Sequence, residues 1–329
     1  MSTKRKVAVL GASGYTGREL QRLLSQHPQL ELSGFLSSRV GEEPEQPELP
    51  YDAPIERLEW SRLDGVEGVF LCTPHLASAE LAKQCLQRGV KVVDLSADFR
   101  FRDAALYKAT YDHTHPAPEL LAEAVYGLTE HAREQVRDAR LVANPGCYPT
   151  SILLPLLPLV RHGLIATHTI VCDSKSGVSG AGKKPSARTH FGASHENFLA
   201  YGVGFHRHGN EIKSQLGLQN LVFVPHLLPV FRGILSTIYV QAAGGAKAAD
   251  LRACLAETYS NERFVKVYPR GMPELDRVQR TNECHMALEQ NGDTIVMVSV
   301  IDNLLKGASG QALQNMNLML GLEETAGLA

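Results

Sequence analysis

The first half of the chain alternates short apolar runs with longer amphipathic segments. The runs cover 6–10, 30–36, 68–72, 90–95 and 140–143, and the first is apolar throughout from Val7 to Leu10. Strands buried on both faces of a parallel sheet have this character. Between the runs, apolar residues recur at helical spacing, as at Leu20, Leu23 and Leu24. This alternation of strand and helix predicts an α/β domain.

The pattern changes after Cys147. Apolar runs that predict strands follow at 169–173, 221–223, 233–241 and 294–300, with few helices between them. This predicts an α+β domain with an antiparallel or mixed sheet and a helix layer on one face. A last helix at 311–320, with Ala312, Leu313, Met316 and Leu320 on one face, suggests a return to the first domain. We therefore expect a dinucleotide-binding domain of 1–146 plus 303–329 and a catalytic domain of 147–302.

A glycine-rich turn joins the first predicted strand to the first predicted helix. It reads Gly11-Ala12-Ser13-Gly14-Tyr15-Thr16-Gly17, a G-x-x-G-x-x-G variant of the usual dinucleotide motif. Its place between a strand and a helix indicates that the backbone N–H groups hold a pyrophosphate at the helix start. The alternative is an ordinary turn between strand and helix.

The end of the second strand indicates which cofactor is bound. NAD enzymes usually place a carboxylate there, whereas this chain has Ser37-Ser38-Arg39. Two hydroxyls and a guanidinium suit a 2′-phosphate, so NADP is favoured over NAD. An ordinary polar loop is the alternative.

Two further strand ends fall where ligands bind in an open α/β sheet. They carry Thr73-Pro74-His75 and the segment from Ser96 to Arg100. We interpret His75 as a loop residue. Arg100 either binds an anionic substrate group or pairs with Asp98.

The strongest candidate for chemistry is the heptapeptide Asn144-Pro145-Gly146-Cys147-Tyr148-Pro149-Thr150. Pro149 suits the first turn of a helix, which would place Cys147 at a helix N-terminus. A thiol there ionises more easily, and the thiolate is a nucleophile. Pro155 and Pro158 predict that this helix is kinked or short. The alternative is a small buried hydrophobic residue.

Two polar stretches accompany the cysteine. Residues 174–184 are rich in glycine, serine and lysine, and we expect a mobile loop that binds phosphate or carboxylate, or else a flexible surface loop. In the second stretch, His206 and His208 flank Arg207, and Glu211 follows. This favours a general base beside an anion-binding arginine over a metal site, because a metal would want more ligands. A structural role is the alternative for either histidine alone.

Composition indicates which compartment and which classes of partner are expected. The chain has 329 residues, 44% of them hydrophobic, and a formal net charge of −2, which gives no signal for nucleic acid or anionic membrane. Six scattered cysteines indicate no disulfide framework and no zinc site. No apolar run suggests a signal peptide or a membrane span. We expect a cytoplasmic protein without a metal.

Taken together, these segments resemble the N-acetyl-γ-glutamyl-phosphate reductases, the NADP enzymes of arginine biosynthesis. The resemblance covers nearly the whole chain and rests on stretches 11–17, 144–150, 176–182, 206–212 and 302–307. The heptapeptide is specific to this family, since the related aspartate-semialdehyde dehydrogenases have a different cysteine context. The family usually reads His-Arg-His-Thr-Pro-Glu-Ile, whereas Gly209 and Asn210 replace Thr-Pro here, which loosens the backbone.

The resemblance implies a semialdehyde dehydrogenase fold, with a Rossmann NADP-binding domain and an α+β catalytic and dimerisation domain. It implies NADPH-dependent reduction of N-acetyl-L-glutamyl 5-phosphate to the 5-semialdehyde and phosphate, through a thioester on Cys147. His206 matches the catalytic histidine that manages the proton on the thiohemiacetal oxygen, and we expect a pH–rate limb near histidine's reference pKa of about 6.5. His208 is expected to be structural, and the chain to form homodimers or homotetramers.

Residue patterns and resemblance together assign the remaining site residues. Expected to bind the cofactor are Gly11, Ser13, Gly14, Tyr15, Thr16, Gly17, Ser37, Ser38, Arg39, Thr73, Pro74, Ser96, Ser176, Gly177, Asn303 and Lys306. Expected to bind the substrate are Arg100, Ser176, Gly177, Arg207 and Glu211. Two other functions remain open. One is the sister reductase of lysine biosynthesis, which acts on carrier-bound N-acetyl-aminoadipyl phosphate, and the other is a non-catalytic NADP-binding regulator.

Overall fold

The apolar runs of the first half form a parallel sheet, as predicted. The structure is a computed structural model that describes residues 4–37, 53–184, 186 and 189–328. It divides into two compact units, Met1–Pro145 with Ala308–Ala329, and Gly146–Gly307. Each unit is built around its own sheet.

The first unit alternates strands and helices along the chain. Its elements up to residue 145 are β1 (Arg5–Leu10), α1 (Tyr15–Ser25), β2 (Leu30–Ser37), β3 (Ile55–Arg57), β4 (Gly68–Leu71), α2 (Ala77–Gln87), β5 (Lys91–Asp94), α3 (Ala104–Tyr111), β6 (Val125–Tyr126), α4 (Thr129–Asp138) and β7 (Leu141–Ala143). The described strands lie in the order β3-β2-β1-β4-β5-β7-β6, and their pairings are parallel. Val7, Val69 and Val92 are fully buried in the sheet, in line with continuous apolar runs.

The second unit is a mixed α+β fold, also as predicted. Its elements are α5 (Cys147–Arg161), β8 (Val171–Gly177), α6 (Phe191–Ser194), β9 (Leu199–Ala200), α7 (Arg207–Leu216), β10 (Val222–Leu228), β11 (Ile234–Val240), α8 (Ala248–Thr258), β12 (Val265–Val267), β13 (Cys284–Asn291) and β14 (Thr294–Ile301). The described strands lie in the order β12-β13-β14-β11-β8-β10-β9. The pair β8 and β10 is parallel, whereas β11 runs antiparallel to both β8 and β14.

Of the predicted kinked or short helix, the short form is wrong for α5. It runs for 15 residues through Pro155 and Pro158, and its residues from Tyr148 to Leu159 are buried. Pro158 has no N–H to donate to the carbonyl of Leu154, four residues earlier. The hydroxyl of Tyr259 donates a hydrogen bond to that carbonyl instead. Tertiary packing therefore supplies the partner that the proline removes.

The polar segment after residue 173 is a second correction. Residues Ser174 to Gly177 are the second half of β8 rather than part of a mobile loop, and a 3₁₀ turn, Val178–Ala181, follows. Ser174 and Ser176 are fully buried. The Ser174 hydroxyl lies 2.7 Å from the Ser236 hydroxyl, and Ser176 donates to the carbonyl of Gly177. Because each hydroxyl has a partner, these serines can occupy an interior strand.

The last helix is buried on its polar side as well as on its apolar side. A π-helical turn, Leu305–Ser309, leads into α9 (Gly310–Met319). From Ala308 onward the chain belongs to the first unit. Asn315 donates to the carbonyl of Gly127, and Asn317 donates to the carbonyl of Ala326. The predicted apolar face is therefore only part of the buried surface.

Within the described ranges, no helix combines the length and the apolar character needed to cross a membrane.

Candidate active site

The glycine-rich turn has the geometry of a phosphate-binding turn. Gly11 has a φ of +82°, and a Cβ there would lie 2.6 Å from Cγ2 of Thr73. A Cβ on Gly17 would lie 2.2 Å from the carbonyl oxygen of Ala12, so α1 packs closely on the turn. A Cβ on Gly14 would meet nothing within 4 Å. Gly14 is also the N-cap of α1 and has no side-chain cap. This open N-terminus fits a dinucleotide pyrophosphate.

The other residues of the first unit that are predicted to bind the cofactor differ in their contacts and in their exposure. The Thr16 carbonyl accepts a hydrogen bond of 2.9 Å from Ser309, and the Thr73 hydroxyl lies 2.6 Å from that of Ser78. Ser13 and Pro74 are exposed, whereas Tyr15 and Ser37 are half-buried. Ser38 and Arg39 lie outside the described residues, so the structure does not bear on the predicted 2′-phosphate contact.

Ser96 lies in a buried acidic cluster at the end of β5. Its N–H and its hydroxyl donate to the two carboxylate oxygens of Asp94, at 2.9 and 2.8 Å. Burial, with a contribution from neighbouring Asp98, raises the pKa of Asp94 to about 6. Asp98 accepts hydrogen bonds from the N–H groups of Leu76 and Ala79 at the start of α2. The cluster orders the sheet end from which Ser96 projects.

Arg100 is buried, and two of its hydrogen bonds go to backbone carbonyls. Its guanidinium donates to the carbonyl of Asn144 at 3.0 Å and to that of Leu95 at 3.1 Å. It thereby orders the residue that opens the cysteine heptapeptide, a role that neither predicted alternative included. Its binding of substrate stays a prediction.

Cys147 is the first residue of α5, as predicted, and its side chain is half-buried. The preceding residue, Gly146, is the N-cap, and its N–H donates to the carboxylate of Glu211 at 2.9 Å. A Cβ on Gly307 would lie only 2.8 Å from Cβ of Cys147. Gly307 therefore leaves room for the Cys147 side chain, and the residue before Cys147 is bonded to a carboxylate on α7.

An aromatic layer lies beside the cysteine. The hydroxyl of Tyr148 donates to the carbonyl of His226 at 2.9 Å and lies 3.2 Å from the hydroxyl of Tyr201. Burial raises the pKa of Tyr201 to about 12 and also raises the pKa of Tyr148. Both phenols therefore stay protonated at neutral pH and act as hydrogen-bonding groups.

His206 is the N-cap of α7, and its ring lies among aromatic neighbours. Its Nδ1 accepts a hydrogen bond of 3.1 Å from the N–H of His208. Its ring centroid lies 5.8 Å from that of Tyr148 and 5.5 Å from those of Tyr201 and Phe223. Burial, followed by the charge of Arg207, lowers the pKa of His206 to about 4. This pKa lies below the expected 6.5 because the sequence does not show the burial of the ring, and the pH–rate limb itself stays a prediction.

The neighbours of His206 in α7 have different surroundings. Arg207 is exposed at the first turn of α7. His208 is half-buried, with its ring centroid 4.9 Å from that of His206 and 5.9 Å from that of Tyr148. Glu211 is fully buried. Of the four predicted polar residues here, Arg207 is therefore the one presented to solvent.

A second set of predicted residues, at the end of β8 and in the stretch 302–307, makes close contacts. Gly177 packs so closely that a Cβ would lie 2.7 Å from the carbonyl oxygen of Phe231. The side chain of Asn303 accepts from the N–H of Gly233 at 2.6 Å and donates to Ser179 at 3.0 Å. Lys306 is fully buried, with Nζ 5.7 Å from the ring centroid of Phe264. These contacts fix the residues within the second unit, and cofactor binding by Ser176, Gly177, Asn303 and Lys306 stays a prediction.

The site residues predicted from the sequence do not include two residues of the stretch 302–307, Asp302 and Gly307. Asp302 is fully buried, pairs with Arg232 at 3.1 Å and accepts from the N–H of Arg280. Gly307 leaves room for Cys147, as described above. Both lie in the stretch 302–307, which is one of those that carry the family resemblance and could have indicated them. In the described part of the chain, no group of three or more His, Cys, Asp or Glu residues could hold a metal ion.

Comparison with known proteins gives consistent matches over the whole chain. The family model "Semialdehyde dehydrogenase, NAD binding domain" matches residues 6–139, and "Semialdehyde dehydrogenase, dimerisation domain" matches residues 147–303. The N-acetyl-gamma-glutamyl-phosphate reductase of Desulforudis audaxviator is 49% identical, covering 98% of this chain and 97% of that protein. The protein of the same name from Bordetella pertussis is 43% identical, covering 99% and 97%.

Solved structures show the same fold at low sequence identity. Aspartate semialdehyde dehydrogenase II of Vibrio cholerae has a TM-score of 0.71 and is 17% identical, covering 97% of this chain and 99% of that one. The aspartate semialdehyde dehydrogenase of Candida albicans, determined with NADP, has a TM-score of 0.65, also at 17% identity, covering 97% and 99%. These likenesses confirm the predicted two-part fold.

Proposed function

Because the chain belongs to the family of N-acetyl-γ-glutamyl-phosphate reductases, we propose that it reduces N-acetyl-L-glutamyl 5-phosphate with NADPH. The products are N-acetyl-L-glutamate 5-semialdehyde and phosphate, and the step belongs to arginine biosynthesis. The observation that carries the proposal is that Cys147 is the first residue of α5, which a hydrogen bond from Gly146 to Glu211 links to the helix that His206 caps.

Cys147 is proposed as the nucleophile. Its thiolate adds to the carbonyl carbon of the acyl phosphate, the C–O bond to phosphate breaks, and a thioester on Cys147 results. The helix N-terminus favours the thiolate electrostatically. NADPH supplies the hydride that reduces the thioester carbon. His206 is proposed to act on the thiohemiacetal oxygen that forms there, before the aldehyde leaves and the thiolate is restored.

Substrate recognition is proposed to use the exposed Arg207 for an anionic group, together with Ser176 and Gly177 at the end of β8. Arg100 supports this recognition by ordering Asn144, and a direct contact with substrate is also proposed. For Glu211, complete burial and the bond to Gly146 support a positioning role over the predicted contact with substrate.

The cofactor is NADP. The open turn at Gly14 is proposed to hold the pyrophosphate through backbone N–H groups, with Gly11, Ser13, Tyr15, Thr16 and Gly17. The ribose phosphate is proposed to contact Ser37, Ser38 and Arg39. Thr73, Pro74 and Ser96 follow strands β4 and β5 of the first unit, whose carboxyl ends bind ligands in open parallel sheets. Ser176, Gly177, Asn303 and Lys306 are proposed to complete the cofactor site.

The assembly is proposed to be a homodimer or homotetramer formed through the second domain, which matches the dimerisation-domain model. We also propose a cytoplasmic location, as suits a biosynthetic enzyme that draws on cytoplasmic NADPH.

An assay in the reverse direction tests the proposed substrate. Purified protein is supplied with NADP⁺, phosphate and one of three semialdehydes, those of N-acetylglutamate, N-acetyl-aminoadipate and aspartate. We expect kcat/KM to be highest for N-acetylglutamate semialdehyde and NADPH formation to require phosphate. A higher kcat/KM for either other aldehyde would overturn the assignment, and no turnover with any of them would indicate the non-catalytic regulator.

A further inference from the structure

Asp302 is a buried carboxylate that the proposed mechanism does not use. It directly follows β14, its side chain is fully buried, and it accepts at least four hydrogen bonds. A buried charge is expensive unless its acceptor positions are filled, and a hydrophobic residue of similar volume is often at least as stable. Stability alone therefore does not explain the carboxylate, and its contacts show what it holds in place.

One carboxylate oxygen shapes the turn that reaches the cysteine. Oδ1 accepts from the N–H of Leu304 at 2.8 Å and from that of Leu305 at 3.2 Å. The backbone carbonyl of Asp302 accepts from the N–H of Gly307 at 2.9 Å. These bonds close the start of the π-helical turn Leu305–Ser309, a rare conformation that is often found at functional sites. Asp302 thereby fixes where the backbone of Gly307 lies.

Gly307 in turn lies against the nucleophile candidate. A Cβ on Gly307 would lie 2.8 Å from Cβ of Cys147 and 3.2 Å from its Cα. Because only a backbone without a side chain fits there, the Gly307 backbone bounds the space of the Cys147 side chain on that side. A continuous series of contacts therefore joins the Asp302 carboxylate to Cys147.

The other carboxylate oxygen bonds to two segments that are distant along the chain. Oδ2 accepts from the N–H of Arg280 at 2.6 Å and from the guanidinium of Arg232 at 3.1 Å. Arg280 has a φ of +65°, which is unfavourable for a residue with a Cβ, and the bond from its N–H stabilises that conformation. The two oxygens thus have separate tasks. Oδ1 serves the turn beside Cys147, and Oδ2 serves the surrounding segments.

From these contacts we propose that Asp302 is a positioning residue for the reaction, which sets the place of Cys147 through Oδ1 and Gly307. The inference rests on the proposed function and deepens it, because it adds a residue that acts on the nucleophile through the backbone rather than on the substrate. The bonds of Oδ2 serve the stability of the fold. Since each oxygen has its own donors, substitutions can separate the two roles.

Three variants make this separation. Asp302→Ala removes both acceptor oxygens. Asp302→Ser keeps one acceptor in place of Oδ1, because a serine hydroxyl can accept from the N–H two residues later, as an aspartate does. Arg232→Gln leaves Asp302 intact and removes the ion pair at Oδ2. Asp276→Ala is the matched control, since this aspartate is exposed and lies in the same unit.

The proposal predicts that catalysis and stability respond differently. We expect Asp302→Ala to lower kcat by about 10²-fold, the scale of a displacement of about 1 Å at a reacting atom. We expect Asp302→Ser and Arg232→Gln to keep kcat within about tenfold of wild type, because the bonds of the turn remain. The melting temperature should fall in all three variants, because each loses a bond at Oδ2. Losses of kcat that follow the losses of melting temperature would overturn the proposal, since they would show a structural role only.

A double-mutant cycle tests the route through Gly307. Gly307→Ala displaces the same contact, so combining it with Asp302→Ala should lower kcat little more than either change alone. Losses that multiply to about 10⁴-fold would show that the two residues act independently, and they would overturn this route.

A measurement without substrate separates this inference from the proposed function. The rate at which iodoacetamide modifies Cys147 is followed by mass spectrometry of its peptide. We expect Asp302→Ala to raise this rate at least about threefold, because withdrawal of Gly307 uncovers the thiol, and Asp302→Ser and Asp276→Ala to leave it unchanged. Equal rates in wild type and Asp302→Ala would overturn the positioning role even if the enzyme is active. The expected rates in a protein that turns over none of the semialdehydes would support the control of Cys147 by Asp302 and refute the proposed function.

Discussion

The carboxylate of Glu211 accepts a hydrogen bond of 2.9 Å from the backbone N–H of Gly146. Gly146 is the N-cap of α5 and precedes Cys147, whereas Glu211 lies on α7, whose N-cap is His206. One bond therefore links the helix that starts at the cysteine to the helix that the histidine caps. It also places the Glu211 carboxylate beside the N-terminus of α5. The helix N-terminus favours the thiolate, whereas the negative charge of the carboxylate opposes it.

We expect Glu211→Ala to lower both stability and kcat, because the buried N–H of Gly146 loses its partner. An unsatisfied buried donor costs about 1–3 kcal/mol, which a urea unfolding curve resolves. Glu211→Gln keeps an acceptor oxygen and removes the charge. We expect Gln to restore most of the stability and to make Cys147 react faster with iodoacetamide at pH 6, since the thiolate is no longer opposed by a nearby carboxylate.

The control for Glu211 is Glu257→Gln, the same change at an exposed position on α8. It should alter neither the unfolding curve nor the alkylation rate. A substrate ligand would behave differently, with a raised KM, unchanged stability and unchanged alkylation. That result would return Glu211 to the role predicted from the sequence.

Cys147→Ser should abolish turnover and leave NADP binding intact, because a serine hydroxyl is hardly ionised near neutral pH. Steady-state assay and cofactor titration by fluorescence measure the two properties. Cys254→Ser is the control, since Cys254 is another half-buried cysteine. Activity of the Cys147 variant above a few per cent of wild type would show that the nucleophile is elsewhere.

Gly307→Ala should lower kcat by about 10²-fold, the scale of a displacement of about 1 Å at a reacting atom. The added Cβ would lie 2.8 Å from Cβ of Cys147, so one of them must move. Gly34→Ala in β2 is the control, because its Cβ would meet only side-chain atoms, at 3.5 Å or more. Comparable kcat values for the two variants would mean that Cys147 tolerates displacement.

Asp94→Asn should affect stability more favourably at neutral pH than at pH 4. The fold raises the pKa of this buried carboxyl from 3.8 to about 6, so the folded state binds its proton more tightly than the unfolded chain. This contribution to stability is complete below about pH 4 and is lost as the pH rises through 6. Asparagine has no such loss. We compare the free energy of unfolding of the variant with that of the wild type at each pH. This difference should be more favourable to the variant at pH 7.5 than at pH 4, by on the order of 2 kcal/mol.

Urea unfolding at the two pH values measures this difference, with Asp138→Asn at an exposed position of α4 as the control. If Asp94→Asn differs from wild type by the same amount at both pH values, the carboxyl does not titrate in the fold as stated.

Arg39→Asp should shift the cofactor preference from NADP towards NAD, because a 2′-phosphate partner becomes an acceptor for a hydroxyl. The expected change is on the order of 1.5–3 kcal/mol, the size of a charged hydrogen bond. It is measured as the ratio of kcat/KM for the two cofactors, with the exposed Arg270→Asp as the control. An unchanged ratio would remove Arg39 from the cofactor site.

Local patterns predicted the features that depend on local physics. The parallel sheet, the glycine-rich turn and the start of α5 at Cys147 all follow from short stretches of sequence. Strands β12 and β13 were not predicted, because Val265–Val267 is very short and Cys284–Asn291 lacks a regular alternation. The buried serines of β8 looked like a loop, since their partner Ser236 is 62 positions away from Ser174.

In the site, too, features that depend on local sequence were predicted, and contacts between distant elements were not. The sequence indicated Cys147 and His206 as candidates, but it could not show that Glu211 would bond to Gly146, 65 positions earlier. Nor could it show that aromatic rings would enclose His206 and lower its pKa. Both properties arise from packing between elements that are distant along the chain.

The bond from Tyr259 to the carbonyl of Leu154 makes two distant positions interdependent. Pro158 is tolerated inside α5 because the tyrosine hydroxyl takes the place of the missing N–H. With alanine at 158, the helix would supply its own donor, and phenylalanine at 259 would become acceptable. With proline retained, the same phenylalanine would leave a buried carbonyl unsatisfied. The order in which these two positions can change during evolution is therefore constrained, with residue 158 changing before residue 259.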